Sequence, residues 1–429
     1  MDGLYLGIDL GTSGCRVLAV DAAGAVRAAQ AEPMPPPRRR DGCSEQDPQQ
    51  WWTALERALH ALLADVPAGR VRALAVDGTA ATVLLADADG VPLTPALLYD
   101  DTRARAEAQR IAALAPADSP AAQPGSGLAK LLWLLGCPGT ERARYALHAA
   151  DWVAGRLRGR FGASDLNHCL KMGCDPAGAW PEWVARLGLD RALLPRPHRP
   201  GTPLGPLAPA VAAAFGLPRT VQVVAGTTDS TAAFLATGAA RPGEAVTSLG
   251  STLVLKIVSR HPVASARHGV YSQPLDDRWL AGGASNSGGA VLRAFFTQAA
   301  IDAMTPRLDP DRETGLDYYP LPGPGERFPV ADPDLAPRLA PRPDDDVRFF
   351  QGLLEGIARI EARGYQLLAE LGAPAPVSVR TVGGGARNEP WRRLRERLLG
   401  IPVIAAEHED AAYGAALLAR RSAAAPDPL

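Results

Sequence analysis

The 429-residue chain is short of lysine, of paired cysteines, of net charge and of long apolar runs, and each shortage excludes something. Of its 45 basic residues only Lys130, Lys171 and Lys256 are lysines. None follows a glycine-rich loop, so the lysine-dependent phosphate loop GxxxxGK[ST] is missing. The five cysteines, Cys15, Cys43, Cys137, Cys169 and Cys174, are odd in number and lack CxxC spacing; free thiols in a reducing compartment are expected, with no metal cluster. A formal net charge of −1 and a pI near 6.7 favour neither nucleic acid nor an anionic membrane as partner. No run reaches the roughly 18 apolar residues of a membrane helix. The N-terminus enters a strand without a basic segment and cleavable apolar core, so a cytoplasmic location is expected.

What is present is apolar residues at 47%, enough for a stable soluble globule of two or three domains, each with its own core. The chain is organised around residues 5–21, YLGIDLGTSGCRVLAVD. An apolar run carrying one carboxylate, Asp9, ends in Gly11-Thr12-Ser13-Gly14, and a second apolar run follows. That pattern predicts a β-hairpin. A tip of glycines and hydroxyls with an acid just before it suits close approach of an anion and a metal to the backbone, although small tips also serve as plain turns.

The proline-rich PMPPPRRRDG, residues 33–42, predicts a surface loop, and 51–64 a helix with Trp52, Leu55, Leu59, Leu62 and Leu63 at helical spacing. A strand over 71–76 runs into Asp77-Gly78-Thr79, and another over 82–85 follows. Strands before the first long helix argue against a Rossmann start. Residues 101–187 read as helical pieces around an irregular stretch at Asn167, His168 and Lys171, either cleft wall or helical cap, and prolines 195–209 as a linker-like loop. A strand over 221–225 ends in Gly226-Thr227-Thr228-Asp229-Ser230 and a small-residue helix. A helix start offers free amides and a positive dipole end, a suitable seat for a catalytic carboxylate; the bland alternative makes Asp229 an N-cap.

Residues 244–259 then repeat the opening theme: Leu249-Gly250-Ser251-Thr252 echoes Leu10-Gly11-Thr12-Ser13 about 240 residues earlier. Two such tips at the starts of two halves suggest duplicated domains with a phosphate chain between them. Further on, 349–371 is a long amphipathic helix, and a strand over 378–382 leads to Gly383-Gly384-Gly385-Ala386-Arg387-Asn388, where glycines let a flat ligand lie on backbone.

DLGTSG at 9–14, DGT at 77–79, GTTDS at 226–230, SLGST at 248–252 and GGGARN at 383–388 together resemble the FGGY family of carbohydrate kinases, in the family's order and over essentially the whole chain. Within it LLYDD, GGASNSGG, GLDYYPLP and GERFP look most like the cyanobacterial and plant D-ribulose kinases of the xylulose-kinase-like subgroup. The resemblance implies an α/β fold of two ribonuclease-H-like, actin/hexokinase-type domains flanking a deep cleft: residues 1–239 sugar-binding, 240–429 nucleotide-binding. It implies ATP and Mg²⁺ as cofactors, D-ribulose as substrate with D-xylulose or a pentitol as alternative, and a monomer or homodimer. An actin- or Hsp70-like ATPase switch is the reading from another class.

Carried over by position, Asp229 looks like the base and Asp9 like the acid that organises Mg²⁺. Gly11, Thr12 and Ser13, with Gly250, Ser251 and Thr252, would cradle phosphates, and Gly384, Gly385 and Asn388 the adenosine. Gly78, Thr79, Ala80 and Ser230, with Asp9 and Asp229, would face the sugar. The chain departs from the family's DGTSG at Asp77-Gly78-Thr79-Ala80-Ala81, losing a hydroxyl, and carries Tyr99-Asp100-Asp101-Thr102-Arg103 where many members have WxDxR.

Overall fold

The computed structural model describes residues 3–116 and 119–423. It forms two compact units, one running to Ala236 and resuming at Asp410, the other Thr237–Glu409.

The first unit opens with β1 (Leu4–Leu10) and β2 (Gly14–Asp21), the expected hairpin, continued by β3 (Val26–Pro33). The period of two along β1 buries Leu4, Leu6, Ile8 and Leu10 in a core shared with α1 (Pro48–Asp65), whose inward stripe includes Trp51, Leu55, Leu59 and Leu62. The side chain of Asp47 accepts from Gln49 N and Pro48 takes the first helical position, so the start of α1 is fixed by sequence. β4 (Val71–Gly78) pairs with β1 in parallel. α2 (Gly127–Leu135), α3 (Ala149–Arg158) and the one-turn α4 (Leu166–Leu170) follow.

Prolines 195–209 do more than link. Pro203–Pro206 forms β5, antiparallel to β6 (Gln222–Val224), at the sheet edge where missing amides cost no ladder bonds. The six-stranded order is β5-β6-β4-β1-β2-β3, and α5 (Asp229–Ala236) follows β6. A second, five-stranded sheet includes Arg38–Arg40 and Cys43–Gln46, so part of the expected surface loop is an exposed edge strand.

The second unit repeats the plan with β7 (Glu244–Leu249), β8 (Leu253–Ser259), β9 (Tyr271–Leu275), β10 (Arg278–Ser285), β11 (Ser378–Val382) and β12 (Val403–Ala405) in the order β9-β10-β8-β7-β11-β12. β7, β8 and β10 pair antiparallel, then β7, β11 and β12 in parallel, as β1, β2, β3 and β1, β4, β6 do. The two glycine tips therefore occupy equivalent places in duplicated sheets. α6 (Gly289–Phe295), α7 (Asp346–Glu370) and α8 (Glu389–Leu399) complete the unit, and α7 buries Phe349, Phe350, Leu353, Leu354, Ile357 and Leu368.

α9 (Ala411–Ser422) belongs to the first unit, although a division at residue 239 assigns it to the second half. Glycine makes this docking possible: a Cβ on Gly7 would lie 1.8 Å from Ala412 O, and one on Gly414 1.8 Å from Ala232 O. Among the described residues no helix is long and apolar enough to cross a membrane.

Candidate active site

Three neighbouring strands, β1, β4 and β6, deliver acids at their carboxyl ends, the place where open α/β sheets put their chemistry. Asp9 and Asp77 are register partners on β1 and β4. A parallel bridge joins Gly78 to Thr228, which sets Asp229 at the end of the third strand. The turn before it lies against β4, since a Cβ on Gly226 would fall 1.7 Å from Val76 O. Asp410, capping α9 by accepting from Ala412 N at 3.0 Å, adds a fourth carboxyl group.

Burial decides how these acids are charged. Asp77 is fully buried, and neither of its oxygens accepts a hydrogen bond among the described residues. Desolvation first, then the charges of Asp9 and Asp229, hold it far above the usual carboxylate range, as a neutral acid that presents its proton to Asp9. The Asp9 side chain is 13% exposed. Desolvation lifts its pKa to about 6, Asp229 and Asp410 add to the rise, and the hydrogen bond with Asp77 and the Arg16 guanidinium oppose it. Arg16 stands 4.0 Å away.

An acid pair so short of cation suits a hard divalent ion that takes one or two carboxylates and completes its shell with water and phosphate. The residues present fit Mg²⁺ in that mode only. Among the described residues no three His, Cys, Asp or Glu side chains converge to hold an ion by themselves.

Asp229 is the first residue of α5 rather than its cap. Thr228 O accepts from Thr231 N and Ala232 N, each at 2.9 Å, while the Asp229 carboxylate turns to Ser230 N at 2.6 Å. At the first tip Gly11 N donates to Gly14 O at 3.1 Å, and Gln46 Nε2 holds Thr12 O from behind at 3.3 Å. The turn containing Gly78, Thr79 and Ala80 is tied by Thr79 Oγ1 to Thr82 Oγ1 at 2.6 Å. Its last residue, Ala81, has a left-handed φ of 59°. The buried ammonium of Lys130 holds that turn, donating to Ala81 O at 2.9 Å and Leu98 O at 2.5 Å. Arg103 is spent within the fold: Nε meets both oxygens of Asp101 at 3.0 and 2.9 Å, and Nη1 meets Glu45 at 2.6 Å. Asp100 pairs with Arg39 at 3.1 Å.

In the second unit, Gly289 N and Ala290 N donate to Gly250 O and Ser251 O at 2.9 and 3.0 Å, and Arg293 Nη2 to Ser251 Oγ at 2.8 Å. Beneath this tip lies a buried network: Arg395 grips Glu361 through two bonds of 2.6 and 2.7 Å and reaches Thr381 Oγ1 at 2.7 Å, while Thr247 Oγ1 donates to Glu361 at 2.5 Å. It joins β7, β11, α7 and α8. Gly385 packs so closely on Leu249 that a Cβ would approach Leu249 Cβ to 2.7 Å, whereas Gly384 faces open space. Asn388 is occupied as the cap of α8, accepting from Trp391 N at 2.9 Å and donating to Thr305 Oγ1 at 3.3 Å.

From the sequence, Asp77 enters only as part of DGT and Lys130 only as one of three lysines, neither with a role, and Asp410 does not enter. Asp77 carries the signal that marked Asp9, a single carboxylate closing an apolar strand.

Residues 4–236 match the N-terminal domain, and residues 245–423 the C-terminal domain, of the FGGY family of carbohydrate kinases. The chain belongs to that family. Among its relatives in the FGGY family, the xylulose kinase of Escherichia coli is 30% identical over 446 residues, covering 98% of this chain and 90% of that protein. The xylulose kinase of Streptomyces coelicolor is 30% identical over 450 residues, covering 98% and 89%. The crystal structure of a xyloylose kinase from Brucella ovis superposes with a TM-score of 0.88 at 27% identity, over 99% of this chain and 91% of that one. A glycerol kinase from Plasmodium falciparum, at 17% identity and a TM-score of 0.86 over 100% and 91%, shares the fold.

Proposed function

We propose that this FGGY kinase uses MgATP to phosphorylate a terminal hydroxyl of a free ketopentose, with D-xylulose the leading substrate and D-ribulose the second. Xylulose kinases at 30% identity over nearly the whole chain support the first sugar. The D-ribulose reading rests on short segments such as GLDYYPLP and GERFP alone. Membership of a carbohydrate-kinase family leaves the switch-type ATPase without support.

The observation that carries the mechanism is the grouping of Asp9, Asp77 and Asp229 at three adjacent strand ends. Asp229 accepts the proton of the attacking sugar hydroxyl as its oxygen bonds to the γ-phosphorus and the bond to the bridging oxygen of ADP breaks. Asp9 would hold the metal, directly or through water, and would border the sugar with Gly78, Thr79, Ala80 and Ser230. The bound Mg²⁺ supplies positive charge to phosphate oxygens. Backbone amides and hydroxyls of Gly11, Thr12, Ser13, Gly250, Ser251 and Thr252 bind phosphate, while Gly384, Gly385 and the backbone at Asn388 receive the adenosine.

An ADP-release screen over xylulose, ribulose, ribitol, arabinitol and glycerol tests the substrate. Xylulose is expected to give the highest kcat/KM. Sugar-independent ATP hydrolysis with no stimulation by any of the five overturns the reading. Asp229→Ala is expected to abolish sugar-dependent ADP release while nucleotide still binds.

A further inference from the structure

Behind the turn that carries Asp229 lies a buried cluster of two histidine and aspartate pairs. Asp165 caps α4, its Oδ1 accepting from His168 N at 3.1 Å and its Oδ2 standing 2.5 Å from His168 Nδ1. His148, just before α3, is held in the same way by Asp151 at 2.8 Å. The two rings face each other with centroids 4.7 Å apart and a tilt of 40°, and all four side chains are buried. Asn167 Nδ2 donates to Thr227 Oγ1 at 2.9 Å, which fastens α4 to the turn two residues before Asp229. Among the described residues neither imidazole Nε2 has a hydrogen-bond partner.

Two imidazoles in such contact cannot both be charged without strong repulsion, and their surroundings differ. For His148 burial prevails, and the His168 charge adds to it, so the ring is held below the ordinary histidine range and neutral. For His168 burial is outweighed by the carboxylate of Asp165, its hydrogen bond, and the charges of Asp151 and Asp229, which carry the pKa to about 9. One buried cation therefore lies within electrostatic reach of Asp229. Around that end of the sheet the ionisable groups include Asp9 on β1, the neutral Asp77 on β4, Asp410 before α9, and Arg16 on β2, whose side chain is 60% exposed.

We propose that His168 is a positioning residue for the base: fixed by Asp165 and clamped through Asn167 to the Thr227–Asp229 turn, its imidazolium offsets the crowded carboxylates and keeps Asp229 oriented as a charged proton acceptor. The proposal rests on the reading of Asp229 as base. His168 does not touch the sugar; it acts through Asp229. The neutral His148 is its stacking partner, filling the space that a second cation cannot.

The pH profile is the test. In the unaltered enzyme kcat is expected to fall as His168 loses its proton, at about pH 9. Asp165→Asn removes the main support of the imidazolium and brings that fall to lower pH. His168→Gln removes the basic limb and lowers kcat by roughly tenfold or more while KM for ATP is unchanged. His168→Gln with the unaltered profile and kcat overturns the proposal. Because both changes lie in a buried cluster, ¹⁵N NMR of histidine-labelled, unsubstituted protein provides a second measurement. One imidazole is expected to stay cationic beyond pH 8, with its midpoint lowered in Asp229→Ala. No such imidazole, or a midpoint unmoved in Asp229→Ala, also overturns it. Near-normal turnover in Asp229→Ala instead sinks the assignment of the base itself, so the two failures are told apart.

Discussion

Asp9 and Asp77 stand opposite each other in register on two parallel strands, one carboxyl group partly exposed and the other wholly withdrawn from solvent. Between them the buried group keeps its proton and the outer one is left as the acid that a cation can reach. Such an arrangement is costly without ligand, because folding raises the Asp9 pKa from 3.8 to about 6.

The sign of that cost is testable. A raised carboxylate pKa stabilises the fold fully below pH 3.8, and this contribution is lost as pH rises to about 6. Asp9→Asn is therefore expected to stabilise the ligand-free protein at neutral pH by on the order of 2–3 kcal/mol, with little effect near pH 3.5, and to abolish kinase activity. Urea unfolding at the two pH values measures it; a neutral-pH loss of stability contradicts the account.

The buried pair of Arg395 and Glu361 makes a different prediction. Arg395→Met strands the Glu361 carboxylate and is expected to cost about 3–5 kcal/mol, whereas the double change Arg395→Met with Glu361→Leu recovers much of the loss. A double-mutant cycle by denaturant unfolding checks this, and equal losses in the single and double variants count against it.

Two glycines separate folding from binding. Gly226→Ala places a methyl group 1.7 Å from a backbone oxygen, and the first unit is expected not to fold normally. Gly384→Ala meets nothing within 4 Å, so its melting temperature should be unchanged while KM for ATP rises. An unchanged KM removes Gly384 from the adenosine site.

Lys130 ties the Ala81 turn to Leu98, with burial pushing the amine down to about 8 against the opposing charges of Asp101 and Asp100. Lys130→Met leaves two carbonyl oxygens without their donor, at a cost of about 1–3 kcal/mol for a buried acceptor. The variant should raise KM for sugar more than KM for ATP; steady-state kinetics with each substrate varied in turn distinguishes the two.

Much of this was legible in the sequence where a local rule governs. Alternation set β1 and β2, the 3.6-residue period set α1 and α7, and the two glycine tips revealed the duplication because both occupy the same hairpin of the same topology. The strands at Arg38–Arg40 and Pro203–Pro206 were hidden because edge positions tolerate residues that propensity rejects. The lysine clasp and the histidine pairs depend on side chains from segments far apart in the chain, which no spacing encodes. Asn388, after a glycine run, reads as a ligand contact, and its side chain also starts α8 by accepting from Trp391 N.

The helix α9 gives the first unit a break in its chain. Residues 411–422 close a face formed by Leu18, Val20 and Ala236, and β1 meets them at Gly7, where no side chain intervenes. During synthesis residues 1–236 emerge with that face bare, and they wait while the second unit, continuous from Thr237 to Glu409, has all its own segments in hand. The part of the chain made later is the first that can reach its finished form.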